Sequence, residues 1–304
     1  MTNHNSPLSL FFSKIKNNNI TLEYCNTLDD IFEDLKQPKI SKYIFNSNSS
    51  NNTKRNVNFA FHPPRIIRKL LEFKLGEYSE NALECLNLGI ESALEIYQNP
   101  KNTSNIITEL DLTFKETLST FEYAKLMYTF VNQESDRISL SASNPKLSYQ
   151  NSQTLFNVAK QSDILFIALG YGGIMPGLDV FSHYVKTQKK QNPQLDSNSV
   201  FYPVRFSRFK LEEKEPNLSL QEILNLESIV DNKQIVIFDE ETGTGLTMDL
   251  AKSYFETVFG RKDLICFAND SSVDEYNLNK KYAVEKDISF RLPLKKLIKS
   301  KLFF

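Results

Sequence analysis

IVIFDEETGTGLTMDLAKSYFE, residues 235–256, runs an apolar segment into three acids, the acids into a Thr/Gly turn, and the turn into a helix-like stretch. Four consecutive apolar residues, Ile235 to Phe238, read as a strand covered on both faces, because a strand with one wet face would alternate. Glycine allows the tight turn that follows, and a strand-to-helix turn of this kind converges backbone N–H groups on an anion. The carboxylates of Asp239 and Glu240 sit immediately before it, and ionised carboxylates repel phosphate. They must face hydroxyls or a cation instead. A sugar phosphate such as ribose 5-phosphate carries both chemistries, a phosphate at one end and a diol a few ångströms away.

Working outward, DILFIALGYGGIMPG (163–177) is a second apolar run ending in a Gly-rich turn, with a helix expected from Leu178. SVFYPVRFSRF (199–209) is rich in β-branched and aromatic residues and reads as a strand. DLICFA (263–268) closes the series, and a helix-like stretch, residues 151–161, precedes it. Apolar strands alternating with helices indicate βαβ units and a parallel sheet buried on both faces.

The first half reads differently. Residues 66–73 place apolar side chains at helical spacing, and Pro63 and Pro64 stand where a helix would start. Residues 80–98 and 112–131 repeat the pattern, each as one helix, whereas the Asn/Ser-rich stretch 46–56 reads as a mobile loop. The expected fold is therefore α/β, a parallel sheet flanked by helices (residues 146–304), preceded by a mostly helical N-terminal region (1–145). Arg65, Arg68, Lys69 and Lys74 could form a basic patch, but read first as a solvated helix face. His62, Cys85 and the aromatic stripe Phe114, Phe121, Tyr128 read as structural.

Bulk properties exclude several classes. Over 304 residues, 36 Lys and Arg against 37 Asp and Glu leave a formal net charge of -1, so no global field draws the chain to nucleic acid or an anionic membrane. Three widely spaced cysteines and three histidines offer neither a disulfide framework nor a zinc motif, and fit a reducing compartment. The first residues lack the basic start and apolar core of a signal peptide, and the run at 164–170 is too short to cross a bilayer. A cytoplasmic protein is the expectation. GxxxxGK[ST] is absent, with Leu246 where its lysine would stand, and so is a Rossmann fingerprint. An ordinary strand-to-helix turn, with Gly for geometry and Thr for capping, is the bland alternative for residues 239–247.

The segment IVIFDEETGTGLT resembles the signature of type I phosphoribosyltransferases, in which a strand, two acids and a Thr/Gly loop bind phosphoribosyl pyrophosphate (PRPP). Asp239 and Glu240 fall on the acid pair, and Thr244, Gly245 and Thr247 on the small residues closing the loop. Glu240 stands where Asp is usual, and Glu241 and Thr242 where aliphatic residues are commoner. ALGYGGIMPG resembles the family's pyrophosphate loop, with Gly172 and Gly173 on its glycine pair and Tyr171 where a basic residue is often found. The resemblance covers residues 162–268. It implies a type I phosphoribosyltransferase-like fold and transfer of phosphoribose from PRPP to an acceptor, usually a nucleobase, with release of pyrophosphate. Asp239 and Glu240 would be catalytic, orienting the ribose diol. Thr242, Gly243, Thr244, Gly245 and Thr247 would bind the 5-phosphate; Tyr171, Gly172, Gly173, Arg205, Arg208 and Lys210 would bind the pyrophosphate. Residues 211–232 would form a mobile loop closing over PRPP. Mg²⁺ would be held mainly by the ligand, with no protein metal site. Assembly into a homo-oligomer stays open, as do two other readings: a non-catalytic PRPP or nucleotide sensor, and an effector whose helical half meets a macromolecule.

Overall fold

A computed structural model describes residues 19–22, 27–36, 51–77, 79–131, 136–139, 143–193, 197–206 and 213–279. In chain order the elements are β1 (Asn19–Leu22), α1 (Leu28–Lys36), α2 (Asn51–Glu77), α3 (Glu80–Gln98), α4 (Thr103–Thr117), α5 (Thr120–Tyr128) and β2 (Asp136–Ser139). They continue with α6 (Pro145–Val158), β3 (Ile164–Leu169), α7 (Ile174–Gln191), β4 (Val200–Val204), α8 (Leu220–Val230), β5 (Gln234–Thr242), α9 (Leu246–Phe259) and β6 (Ile265–Ser271). β1 and β2 form a small antiparallel pair. The main sheet is all-parallel, in the order β4-β3-β5-β6.

That order has a consequence for function. From β3 the chain crosses to β4 on one side, then returns past β3 to β5 on the other, so the winding reverses between β3 and β5. The C-terminal ends of those two strands flank the crevice where ligands of open α/β sheets bind. Right-handed crossovers place α7 on one face and α8 and α9 on the opposite one. Phe166, Phe201, Phe238 and Phe267, one from each strand, line the α7 face; Phe166 stacks on Phe201 at 5.8 Å, and Phe238 meets Phe267 edge-on at 5.1 Å. Such pairs add about 0.5–1.5 kcal/mol each beyond the area they bury. Gly177 lets α7 approach this layer, since a Cβ there would already touch Ala168, Phe238 and Phe166 at 3.2–3.4 Å. Pro203 interrupts nothing, because β4 is an edge strand.

One continuous apolar core joins the helical region to the sheet, running from Leu28 to Tyr276, and α2 and α3 both pack on α7. Several local expectations are corrected. α2 begins at Asn51, so residues 51–56 of the expected loop are helical, residues 46–50 lie outside the described residues, and Pro63 and Pro64 stand inside the helix. Pro64 lacks the N–H that would bond the Ala60 carbonyl, and the buried Tyr97 hydroxyl donates to that carbonyl at 3.3 Å instead. The single helix expected over 112–131 breaks at Leu118, because Ser119 and Glu122 form a reciprocal capping box that starts α5. α7 starts four residues before Leu178, with Pro176 in its first turn, where no intrahelical N–H is lost. Likewise α6 begins at Pro145, capped by the Asn144 side chain, and ends at Val158.

The solvated-face reading of α2 also fails: Arg65, Lys69 and Lys74 are buried. His62 is fully buried, as a structural residue should be. Arg65 can only donate, so His62 Nδ1 accepts from Arg65 NH1 at 3.1 Å and Nε2–H donates to Asp34 Oδ2 at 3.1 Å. Burial chiefly holds the His62 imidazole down to about 4. Cys85 is buried as well, and desolvation pushes its thiol up to about 12. The aromatic stripe splits: Phe114 is core, whereas Phe121 is 77% and Tyr128 58% exposed. Among the described residues no helix is long and apolar enough to cross a membrane.

Candidate functional site

The two Gly-containing turns singled out in the sequence lie on either side of the reversal point. Residues 170–173 follow β3, and residues 243–245 follow β5. Each glycine that the turn requires has a physical reason. Gly170 has φ +57°, and a Cβ there would meet the Phe206 carbonyl at 2.8 Å; a Cβ on Gly173 would meet the Leu169 carbonyl at 2.6 Å. Gly245 caps α9 at φ +82°, against Tyr276 and Val273.

The acid pair is placed differently from expectation. β5 does not stop at Phe238; it pairs with β6 as far as Thr242, so Asp239 and Glu240 are strand residues. Side chains alternate along a strand, so Glu240 shares the α7 face with Phe238, whereas Asp239 and Glu241 share the α9 face. On its face Glu240 reaches across to the first turn: a Cβ on Gly172 would stand 2.0 Å from Glu240 Oε1 and 2.3 Å from its carboxyl carbon. Segments remote in sequence thus meet through a carboxylate laid on a glycine. Asp239 accepts from the Glu240 N–H at 2.7 Å. Desolvation first, then the charges of Glu240 and Glu241, push the Asp239 carboxyl up to about 8, against an ordinary 3.8. Near neutral pH it holds a proton. A cationic ligand or ligand-borne metal would displace that proton, by the opposite-charge effect.

The remaining expected residues divide. Thr242 is buried and its hydroxyl is 2.6 Å from Ser271 Oγ, so as a hydroxyl donor it is committed to the β5–β6 pair. Gly243 and Thr244 are exposed at the start of α9, and Thr247 is half-buried in its first turn. They stand at the N-terminus of α9, whose cap residue Gly245 has no side chain; the Thr244 hydroxyl lies 3.5 Å from the Leu246 N–H. Arg205 does not face the turns as an unengaged cation: Nε bonds Glu213 Oε1 at 2.7 Å and NH1 lies 3.4 Å from Glu72 Oε2. Arg208 and Lys210 lie outside the described residues. The expected lid is in large part a helix; α8 occupies 220–230, started by a second capping box, Ser219 with Glu222.

A cation from the helical region also stands at the turn after β3. Arg68 of α2 lies with its guanidinium carbon 4.3 Å from the centroid of the Tyr171 ring. The loop position lacking a basic residue is therefore covered by one from the helical region. Helical spacing alone put Arg68 beside Arg65 on α2, without showing that this face packs on the sheet. The cavity lined by Lys74, Leu83, Leu218 and Glu222 lies apart from both turns.

The glycines give a direct check on this geometry. Gly172→Ala displaces only the end of the flexible Glu240 side chain, so stability should change by less than about 1 kcal/mol; Gly173→Ala collides with backbone and should cost about 2 kcal/mol or more. Urea unfolding of both variants tests this, and equal midpoints would contradict the arrangement of the turn. Comparison of the chain with family models, with curated proteins and with solved structures returned no match.

Proposed function

We propose that the chain is a phosphoribosyltransferase-like enzyme on a type I phosphoribosyltransferase-like fold, binding PRPP with Mg²⁺ and transferring phosphoribose to a small acceptor, a nucleobase by preference. The observation that carries this reading is the meeting of the two turns at the reversal point of the sheet, with Glu240 laid on Gly172. An ordinary strand-to-helix turn has no need of a second glycine turn beside it or of carboxylates between them.

On this reading the 5-phosphate rests on the open N-terminus of α9, where backbone N–H groups of residues 243–247 and the Thr244 and Thr247 hydroxyls converge. The diphosphate approaches Gly172 and Gly173 beside Glu240 on the α7 face, and the ribose crosses the end of β5 towards Asp239 on the α9 face. Breaking the bond at C1 builds positive charge on the sugar, which carboxylates favour more strongly in the transition state than before it. Asp239 and Glu240 are hard oxygen donors of the kind that suit Mg²⁺, although among the described residues no three acidic, His or Cys side chains form a metal cluster. When bound, the ion neutralises the departing diphosphate. The chain's own contribution is to place the sugar and keep water from it.

Calorimetry with PRPP and Mg²⁺, followed by pyrophosphate release over a panel of nucleobases, tests the reading. Binding and release are expected, and the double variant Asp239→Asn/Glu240→Gln should lose both. Binding that survives unchanged in the double variant overturns the assignment. A sensor or effector on the same fold has one observation in its favour, the commitment of Arg205 to Glu213 and Glu72. It predicts PRPP binding without release for any acceptor.

A further inference from the structure

We propose that Arg68 of α2 is the diphosphate-binding cation of this site, so that the helical region contributes a ligand-contacting residue; the inference rests on the PRPP reading above. In the turn 170–173 the Gly170 N–H bonds the Val204 carbonyl and the Gly173 N–H the Leu169 carbonyl, so a ligand meets the backbone of Tyr171 and Gly172 and no cationic side chain of the turn itself, with the Glu240 carboxylate lying over Gly172. A diphosphate brought there meets a carboxylate and needs a compensating cation. Arg68 stands over the Tyr171 ring, its Nε buried and its side chain half-buried. The ring face holds the guanidinium by cation–π attraction, which fixes a planar fork whose paired N–H groups match phosphate oxygens. The position of that fork is further set by α2 itself. On one side of Arg68 along the helix, Arg65 and His62 are buried and bonded to each other; on the other, Lys74 bonds Glu222 of α8. α2 therefore holds Arg68 at the turn as a fixed group rather than as a mobile surface side chain.

Three ligands separate this inference from the reading beneath it. Ribose 5-phosphate engages the α9 end and the acids without touching the diphosphate position, whereas PRPP and inorganic pyrophosphate both occupy it. Calorimetry on the full chain with Mg²⁺ is expected to show Arg68→Met binding PRPP and pyrophosphate at least about tenfold more weakly, with ribose 5-phosphate unchanged. Arg68→Lys keeps the charge and the stem but loses the fork, and should fall between the two. Its melting temperature and that of Arg68→Met report whether the fold is intact; if Met unfolds the chain, the Lys variant carries the comparison. Wild-type chain that binds PRPP while both variants match it overturns the role of Arg68 and leaves the PRPP reading standing. Wild-type chain that binds neither PRPP nor ribose 5-phosphate overturns both. Equal weakening for all three ligands also overturns it, because that outcome makes Arg68 a structural support only.

Discussion

Asp239→Asn is expected to unfold several degrees higher than the parent chain at pH 8, with the gap narrowing as pH falls towards 4. The folded carboxyl keeps its proton to about 8, and the unfolded one loses it near 3.8. Between those values the folded state binds the extra proton, so stability is greatest below the unfolded value and declines as pH rises through the window. Part of the Asp239 surface stays open to solvent, which tempers the penalty to something on the order of 2–4 kcal/mol at pH 8. Asparagine keeps the shape, can still accept from the Glu240 N–H, and has no proton to lose. Thermal melts from pH 5 to 8 check this, and a constant offset between the two proteins across that range would contradict it. The same substitution should abolish PRPP binding. In the parent, calorimetry near pH 7 in buffers of differing ionisation heat should show about one proton released per ligand bound, because cationic charge next to Asp239 drives it towards its ionised form. Higher stability bought with lost binding is what a functional carboxylate, and not a structural one, should show.

The strands and the alternation with helices were legible because burial on both faces leaves unbroken apolar runs. The all-parallel sheet follows from them. The position of the two turns relative to each other was not legible. It depends on β4 lying outside β3, and nothing in residues 199–209 says on which side of β3 that strand will pair. Other failures trace to tertiary partners that no local pattern displays. Pro63 and Pro64 signalled a helix start, yet the hydroxyl of Tyr97, from a different helix, meets the carbonyl that Pro64 leaves without its N–H donor. Arg65, Lys69 and Lys74 have the spacing of a wet face, and packing of α2 against the rest of the molecule buries them. Two helix starts do carry a local signal. Ser119-x-x-Glu122 and Ser219-x-x-Glu222 are both capping boxes, the first starting α5 within residues 112–131 and the second starting α8 within residues 211–232. The three acids also hid the length of β5: three carboxylates in a row look like a turn, but Asp239, Glu241 and Thr242 all pair with β6.

Lys74→Met should be among the most destabilising single changes in the chain, at about 3–5 kcal/mol. Lys74 Nζ lies 2.8 Å from both carboxylate oxygens of Glu222, and the two side chains are 5% and 0% exposed. Glu222 also accepts from the Tyr202 hydroxyl at 2.6 Å and from the Ser219 N–H at 2.8 Å, so one buried carboxylate ties α2, β4 and the start of α8 together. Removing the ammonium leaves that buried carboxylate with two neutral donors and without the cation that balanced its charge. If the cost is the stranded charge, then Lys74→Met/Glu222→Met should recover a large part of the loss, since apolar side chains of similar volume replace a pair whose attraction is largely offset by desolvation. If the double variant is as unstable as the single, the three-way junction itself is what the fold needs, and the lost capping box and Tyr202 bond account for it. Urea midpoints for the two single variants and the double variant decide between these. The recovered double variant has a second use. It retains the core but releases α2 from α8 two turns beyond Arg68, so diphosphate affinity should fall in it, while ribose 5-phosphate, held at the α9 end, should bind as before.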